Sequence, residues 1–204
     1  MALTSIEICA GAGGQALGLE QAGFDHVAVV EIDRHACATL RENRPGWNVV
    51  EGDVVEWIHS RAREYAGVDL VAGGVPCPPF SQAGKQLGAQ DERDLFPAMI
   101  ELVRVVRPRA VMIENVRGLL DPKFDKYRQQ VTERMAALGY SLQWRLLQAS
   151  DFGVPQLRPR VVAVGMRDDA GAPFEYPSPL PTGAPSVGEA LRDLMGARGW
   201  EGAE

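Results

Sequence analysis

Apolar runs of four or five residues, each the length of one strand, alternate with longer amphipathic stretches from Ser5 to Gly165. Few folds accept that rhythm. A short run without polar alternation must be covered on both faces, as a strand of a parallel sheet is, and the amphipathic stretches supply the covering helices. Ser5 to Cys9, Val27 to Glu31, Val68 to Ala72 and Ala110 to Ile113 read as such strands, with another short one ahead of Glu51-Gly52-Asp53. Gly14 to Ala22, Arg34 to Asn43, Val54 to Tyr65, Leu95 to Val106 and Phe124 to Leu138 read as helices. Ser141 to Leu147 and Val161 to Gly165 read as a hairpin-like pair closing one edge. The expected fold is an α/β doubly wound sheet.

Two stretches break the rhythm. Gly73 to Asp94 is a long loop rich in Gly, Pro, Ser and Gln, and a loop of that length inside a compact domain is usually functional. From Asp168 the composition turns to Gly, Ala and Pro, with one helix over Val187 to Met195. The expected division is therefore a domain over residues 1–168 and a linker with a short helix over 169–204. With 46% hydrophobic and 24% charged residues in 204, the chain is able to bury one core without metal or disulfide. Three cysteines at unrelated spacings (Cys9, Cys37, Cys77) argue against a disulfide framework or a zinc site and point to a reducing, cytoplasmic compartment. The opening MALTSIEICAGAGG has no basic leader, and Glu7 and the glycines interrupt it before it is long enough for a bilayer. No metal and no membrane are expected.

The chemistry-bearing residues fall at predicted strand ends. Ala10-Gly11-Ala12-Gly13-Gly14 follows the first strand, where glycines allow a tight turn and leave amides facing a ligand at a positive helix end. Glu31, twenty residues beyond Gly11, ends the second strand, where a carboxylate accepts from ribose hydroxyls. This pair favours an adenosine-containing cofactor but does not choose between a dinucleotide and S-adenosylmethionine. Asp53 reads first as a helix N-cap and second as a contact to an adenine amino group. Gly73-Gly74-Val75-Pro76-Cys77-Pro78-Pro79-Phe80-Ser81 sets a cysteine between prolines at the mouth of the long loop, which restricts its conformations ahead of attack. Cys9 and Cys37, in apolar stretches, read as structural. Ile113-Glu114-Asn115-Val116 ends another strand. Gln156-Leu157-Arg158-Pro159-Arg160 presents two guanidinium groups to one side of an extended segment, suited to a phosphate or a carbonyl oxygen.

Together these residues resemble the DNA cytosine-5 methyltransferase family, in order and spacing, over about residues 3 to 167. The Pro76-Cys77, Glu114-Asn115-Val116 and Gln156-x-Arg158-x-Arg160 combination carries the resemblance. It implies a Rossmann-like class I methyltransferase sheet with an antiparallel edge strand, and S-adenosylmethionine as cofactor. It implies that Cys77 attacks carbon 6 of a flipped cytosine, that Glu114 neutralises charge at ring nitrogen 3, and that Arg160 holds the carbonyl oxygen. Arg158 and Asn115 would support them. Cys9, Ala10, Gly11, Ala12 and Gly13 would surround the methionine part and Glu31 the ribose. Ile32, Asp53 and Val54 would meet the adenine, with Pro76 and Leu95 closing the pocket. Ser81 and Lys85 would touch DNA phosphates.

Two departures stand out. Where Cys9 stands the family usually has phenylalanine, so weaker cofactor binding is expected. After Asp168 nothing reads as a target-recognition region or as the later motifs that complete the cofactor pocket. A net charge of −6 is also unlike a free-standing DNA binder, whose affinity rests on phosphate contacts. The expectation is the catalytic part of a split or longer enzyme, in restriction-modification or an orphan role near the nucleoid. It would act on double-stranded DNA with a second polypeptide supplying the recognition region. A non-catalytic cofactor-binding module is the competing expectation. A dinucleotide oxidoreductase leaves Pro76-Cys77 and Glu114-Asn115 without a purpose.

Overall fold

The computed structural model describes residues 2–76, 94–171, 173–197 and 199. Cys77, Ser81 and Lys85 lie outside the described residues. The elements are β1 (Leu3–Ile8), α1 (Gly14–Gln21), β2 (Phe24–Glu31), α2 (Arg34–Asn43), β3 (Val49–Glu51), α3 (Val54–Arg61) and β4 (Leu70–Gly73). After them come α4 (Phe96–Val106), β5 (Ala110–Val116), α5 (Asp125–Ala137), β6 (Tyr140–Gln148), β7 (Pro159–Arg167) and α6 (Val187–Gly196). The seven strands form one sheet in the order β3-β2-β1-β4-β5-β7-β6. β1 to β5 pair in parallel, and β7 runs antiparallel to both β5 and β6. The doubly wound sheet with its closing antiparallel pair is as expected. The chain order reverses beside β1, and ligands of such sheets bind outside the strand carboxyl ends at that point.

Side-chain alternation divides the sheet into two faces. Ile6, Ile8, Val71, Val111, Ile113 and Ala163 face α3, α4 and α5 and build the main core with Trp57, Phe96, Met99 and Leu102. The opposite face holds smaller clusters: Ala10, Val29 and Leu40 under α2, and Leu19, Leu70 and Ala72 under α1. Close approach of β1, β4 and α4 requires glycine at 73, where a Cβ would lie 2.7 Å from the Ile8 carbonyl oxygen.

The tail does more than link. Residues 173–180 run back across the second face of β7 and β6, where the Tyr176 hydroxyl bonds the carbonyls of Gln143 and Val162. α6 has a capping box between Ser186 and Glu189 but buries no residue, and Val187, Leu191 and Leu194 are exposed. Met112 and Val162 on the second face stay only partly buried, and Met112 packs against the cluster of Leu19, Leu70 and Ala72. No described helix is long and apolar enough to cross a membrane.

Candidate active site

The turn after β1 is built on left-handed backbone at Cys9 (φ 54°), Gly11 (φ 55°) and Gly13 (φ 89°). Such φ values are routine for glycine and strained for cysteine. Glu31, nearly buried at the end of β2, holds the turn from beside it. One carboxylate oxygen accepts the Gly11 N–H at 2.7 Å, and the other accepts the Ile32 and Asp33 N–H groups at 2.9 Å each. A carboxylate offers about four acceptor positions, so one stays free on the Gly11 side for a ligand hydroxyl.

Two cavities meet at Cys9. The first, about 200 Å³, is walled by Cys9, Val30, Glu31, Ile32, Gly52, Asp53, Val54, Pro76 and Leu95. Its mix of apolar walls and two carboxylates suits a purine nucleoside. Asp53 caps α3 by accepting the Val55 and Glu56 N–H groups, the first of its two readings, and also stands in the cavity wall. The second cavity, about 480 Å³, is lined by Glu7, Cys9, Ala10, Gly11, Gly14, Gln15, Gly74, Met112, Glu114, Arg158 and Val162. Ala12 and Gly13, expected around the methionine part, line neither cavity. Ala12 is exposed, and Gly13 packs so closely under Leu40 and Trp47 that a Cβ there would come within 2.6 Å of Leu40. Glu7, Gly14, Gln15 and Gly74 are wall residues that pattern reading missed. A larger cavity of about 820 Å³, between Ser150–Leu157 and Pro179–Glu189, lies among prolines away from the glycine turn.

Of the remaining predicted residues, Glu114 and Arg158 line the second cavity, and Arg160 and Asn115 do not. Glu114 and Arg160, on adjacent strands, form an ion pair at 2.7 Å. The other Glu114 oxygen lies against Gly74, where a Cβ would approach it to 3.4 Å. Arg160 also donates to the Pro159 carbonyl. Asn115 is buried; its amide donates to the Val75 carbonyl at 2.8 Å, and its side-chain oxygen accepts the Val116 N–H. It therefore ties the end of β5 to the segment that leads into Pro76-Cys77. Leu95 N–H in turn donates to the Pro76 carbonyl.

The other cysteines are poor nucleophiles. Burial, and then the carboxylates of Glu31, Asp53 and Glu7, push the Cys9 thiol up to about 12. Cys37 is buried against the Glu31 carbonyl, and burial raises its thiol as well. A thiolate is the reactive form.

A turn of this kind facing an acidic strand end, on this sheet order, is the architecture of S-adenosylmethionine-dependent methyltransferases. A prophage-encoded E. coli protein described as a DNA modification methyltransferase superposes with a TM-score of 0.73 at 27% identity, over 93% of this chain and 54% of that one. Spodoptera frugiperda DNMT2 shares the fold, with a TM-score of 0.67 at 24% identity, over 86% of this chain and 53% of that one. The family model for C-5 cytosine-specific DNA methylases matches residues 3–202. The chain belongs to that family, whose cofactor is S-adenosylmethionine. It is 59% identical to the type II methyltransferase M.NgoMIV of Neisseria gonorrhoeae over 203 residues, spanning 100% of this chain and 64% of that protein. It is also 59% identical to M.NaeI of Lentzea aerocolonigenes, spanning 99% of this chain and 49% of that one.

The residues present fit the cofactor. One cavity has the apolar walls and the carboxylate acceptors for an adenosine. The adjoining one holds two buried polar atoms without a hydrogen-bond partner, Glu7 Oε2 and Gln15 Nε2. An amino-acid end offers complementary charges.

Proposed function

We propose that this chain carries out methyl transfer to carbon 5 of cytosine in DNA, through a covalent cysteine adduct, as the catalytic part of a larger assembly. The observation that carries the reading is the Asn115–Val75 hydrogen bond. It holds the end of β5, with Glu114 in the cavity wall and paired to Arg160, beside the start of the Pro-Cys segment.

The target cytosine must leave the duplex, since its ring is unreachable while stacked. Cys77, assigned from its place in the sequence, adds as thiolate to carbon 6 and makes carbon 5 nucleophilic. Glu114, protonated or sharing a proton with ring nitrogen 3, neutralises the charge that develops there. Arg160 holds the cytosine carbonyl oxygen, and Arg158 lends positive charge from the same wall. Bound S-adenosylmethionine supplies the methyl group. A base then removes the carbon 5 proton, and Cys77 is expelled. Glu31 anchors the ribose, Ile32, Asp53 and Val54 border the adenine, and Ser81 and Lys85 contact phosphate.

The charge that sat awkwardly with DNA binding is unevenly spread. From Asp168 to Glu204 there are seven acidic and two basic residues, nearly the whole net −6. The sheet domain is therefore close to neutral and does not repel phosphate strongly. A second polypeptide would bring base-edge contacts and further basic charge.

Methylation of plasmid DNA by the purified chain tests the reading. No product is expected from the chain alone, and activity should appear when the partner polypeptide is added. Sequence-specific 5-methylcytosine from the chain alone would refute the need for a partner. Failure of every active assembly to be trapped on 5-fluorocytosine DNA would refute the covalent mechanism.

A further inference from the structure

We propose that Tyr127 on α5 is a positioning residue for the cofactor: through Asp94 it holds Leu95 and Pro76 in place as the wall that closes over the adenine. The proposal rests on the reading of the 200 Å³ cavity as the adenosine end of the S-adenosylmethionine site.

Leu95 stands one residue ahead of α4, partly buried, and its side chain has no polar atom with which to hold itself. Its two neighbours fix it, and both bear on Tyr127. On one side Asp94 is 9% exposed, and its Oδ1 accepts the Tyr127 hydroxyl at 2.6 Å. The same oxygen accepts the Phe96 N–H at 3.1 Å, one of the donors that the start of a helix leaves without an intrahelical partner. On the other side the buried Phe96 ring meets the Tyr127 ring edge-on, with centroids 5.6 Å apart. The Leu95 N–H then donates to the Pro76 carbonyl at 3.2 Å, which ties the second wall residue to the first.

Tyr127 is itself braced. Beside it on α5, Arg128 donates to the Leu119 and Asp121 carbonyls and pairs with Asp125. Those carbonyls belong to the turn by which the chain leaves β5 after Val116. One side chain on α5 therefore relates the exit of β5 to the entry of α4, and the cavity wall lies at the end of that link. Tyr127, Asp94 and Phe96 do not line the cavity, so any effect on the ligand passes through Leu95 and Pro76. A hydroxyl on a carboxylate is a short, directional bond, and its loss lets the wall relax. A gap of about 0.5–1 Å against a bound ring already forfeits roughly a quarter to a half of the dispersion attraction.

S-adenosylhomocysteine and 5′-methylthioadenosine share the adenosine, and only the first carries the amino-acid end. Calorimetric titration of each into the purified chain and its variants, with melting curves on the same preparations, tests the proposal. Tyr127→Phe keeps the ring contact with Phe96 and removes the hydroxyl alone. It should bind both ligands about fivefold more weakly, by the same factor for each. Asp94→Ala should lose about tenfold, and Asp94→Asn, which keeps an acceptor for both donors, should recover most of that loss. If Asp94→Ala fails to fold, Tyr127→Phe decides by itself. Unchanged affinity in Tyr127→Phe overturns the proposal, because a bond that served folding alone would move only the melting temperature. Weakening confined to S-adenosylhomocysteine also overturns it, since the loss would then lie at the amino-acid end. Binding of neither ligand by the unaltered chain refutes instead the reading of the cavity on which the proposal rests.

Discussion

Replacing Glu31 by alanine removes three backbone hydrogen bonds at once, from Gly11 at 2.7 Å and from Ile32 and Asp33 at 2.9 Å each. A hydrogen bond to a charged group contributes about 1.5–3 kcal/mol. Three that share one carboxylate do not add fully, and water repays part of the loss at a partly open turn. The expected cost to folding is therefore about 2–4 kcal/mol. At this chain length that lowers the melting temperature by roughly 5–15 °C. Glu31→Gln keeps one oxygen and turns an N–H donor toward another, so it should lose about half as much. Cofactor affinity has a separate magnitude. The Gly11 amide loses its holder and the ribose loses an acceptor, so S-adenosylhomocysteine should bind more weakly by about 1–3 kcal/mol, or roughly 5- to 150-fold. Calorimetric titration and thermal melting on the same preparations separate the two effects. A folded Glu31→Ala variant with unchanged affinity would remove Glu31 from the site. Equal melting points for the Gln and Ala variants would show that the backbone bonds are not what the carboxylate contributes.

Cys77→Ala should abolish covalent trapping on 5-fluorocytosine DNA in an active assembly while cofactor binding persists; a trapped Cys77→Ala adduct, or loss of trapping in Cys9→Ala, would reverse the assignment. Gly73→Ala places a Cβ 2.7 Å from the Ile8 carbonyl oxygen and 3.0 Å from Met99 Cε. The main chain has little room to yield, so urea denaturation should show a loss of about 1–3 kcal/mol, and an unchanged midpoint would contradict the packing argument. Glu7, raised when folded, contributes stability that is complete below the ordinary carboxylate range and lost as pH rises to about 8. Glu7→Gln should therefore flatten the stability profile across that window and exceed the unaltered chain above it, by at most about 5 kcal/mol. Parallel profiles for the two proteins would mean that Glu7 is not held neutral.

Much of this was legible because period and turn chemistry act locally. α2 spans the predicted Arg34 to Asn43, where Asp33 supplies the cap. β5 and β7 run past their predicted ends, to Val116 and from Pro159, because the ladder between them continues through Glu114, Asn115 and Arg160. Pattern reading stops at such polar residues, whereas strand pairing does not. The helix expected to Tyr65 ends as α-helix at Arg61 and tightens into a short 3₁₀ turn over Ala62–Tyr65. Glu7 escaped notice because a charge inside an apolar run reads as an interruption. Only the assembled sheet puts Val29 and Ala72 on its flanks and a cavity before it. Asn115 was expected only to support the catalytic residues; that its amide reaches the carbonyl forty positions earlier, on the segment leading to Cys77, needs the assembled sheet.

The Asn115–Val75 and Leu95–Pro76 hydrogen bonds bear on how this region tolerates change. The first clamps the chain as it leaves β4, and the second joins its return ahead of α4 to the same place. The described residues on either side of 77–93 are thus held at one place. Closing a chain onto itself costs only about 0.6 kcal/mol more for each doubling of its length. Insertions and deletions there can accumulate at little thermodynamic cost and without shifting Glu114 or the glycine turn. The sheet is insulated from the length of the segment that carries the cysteine.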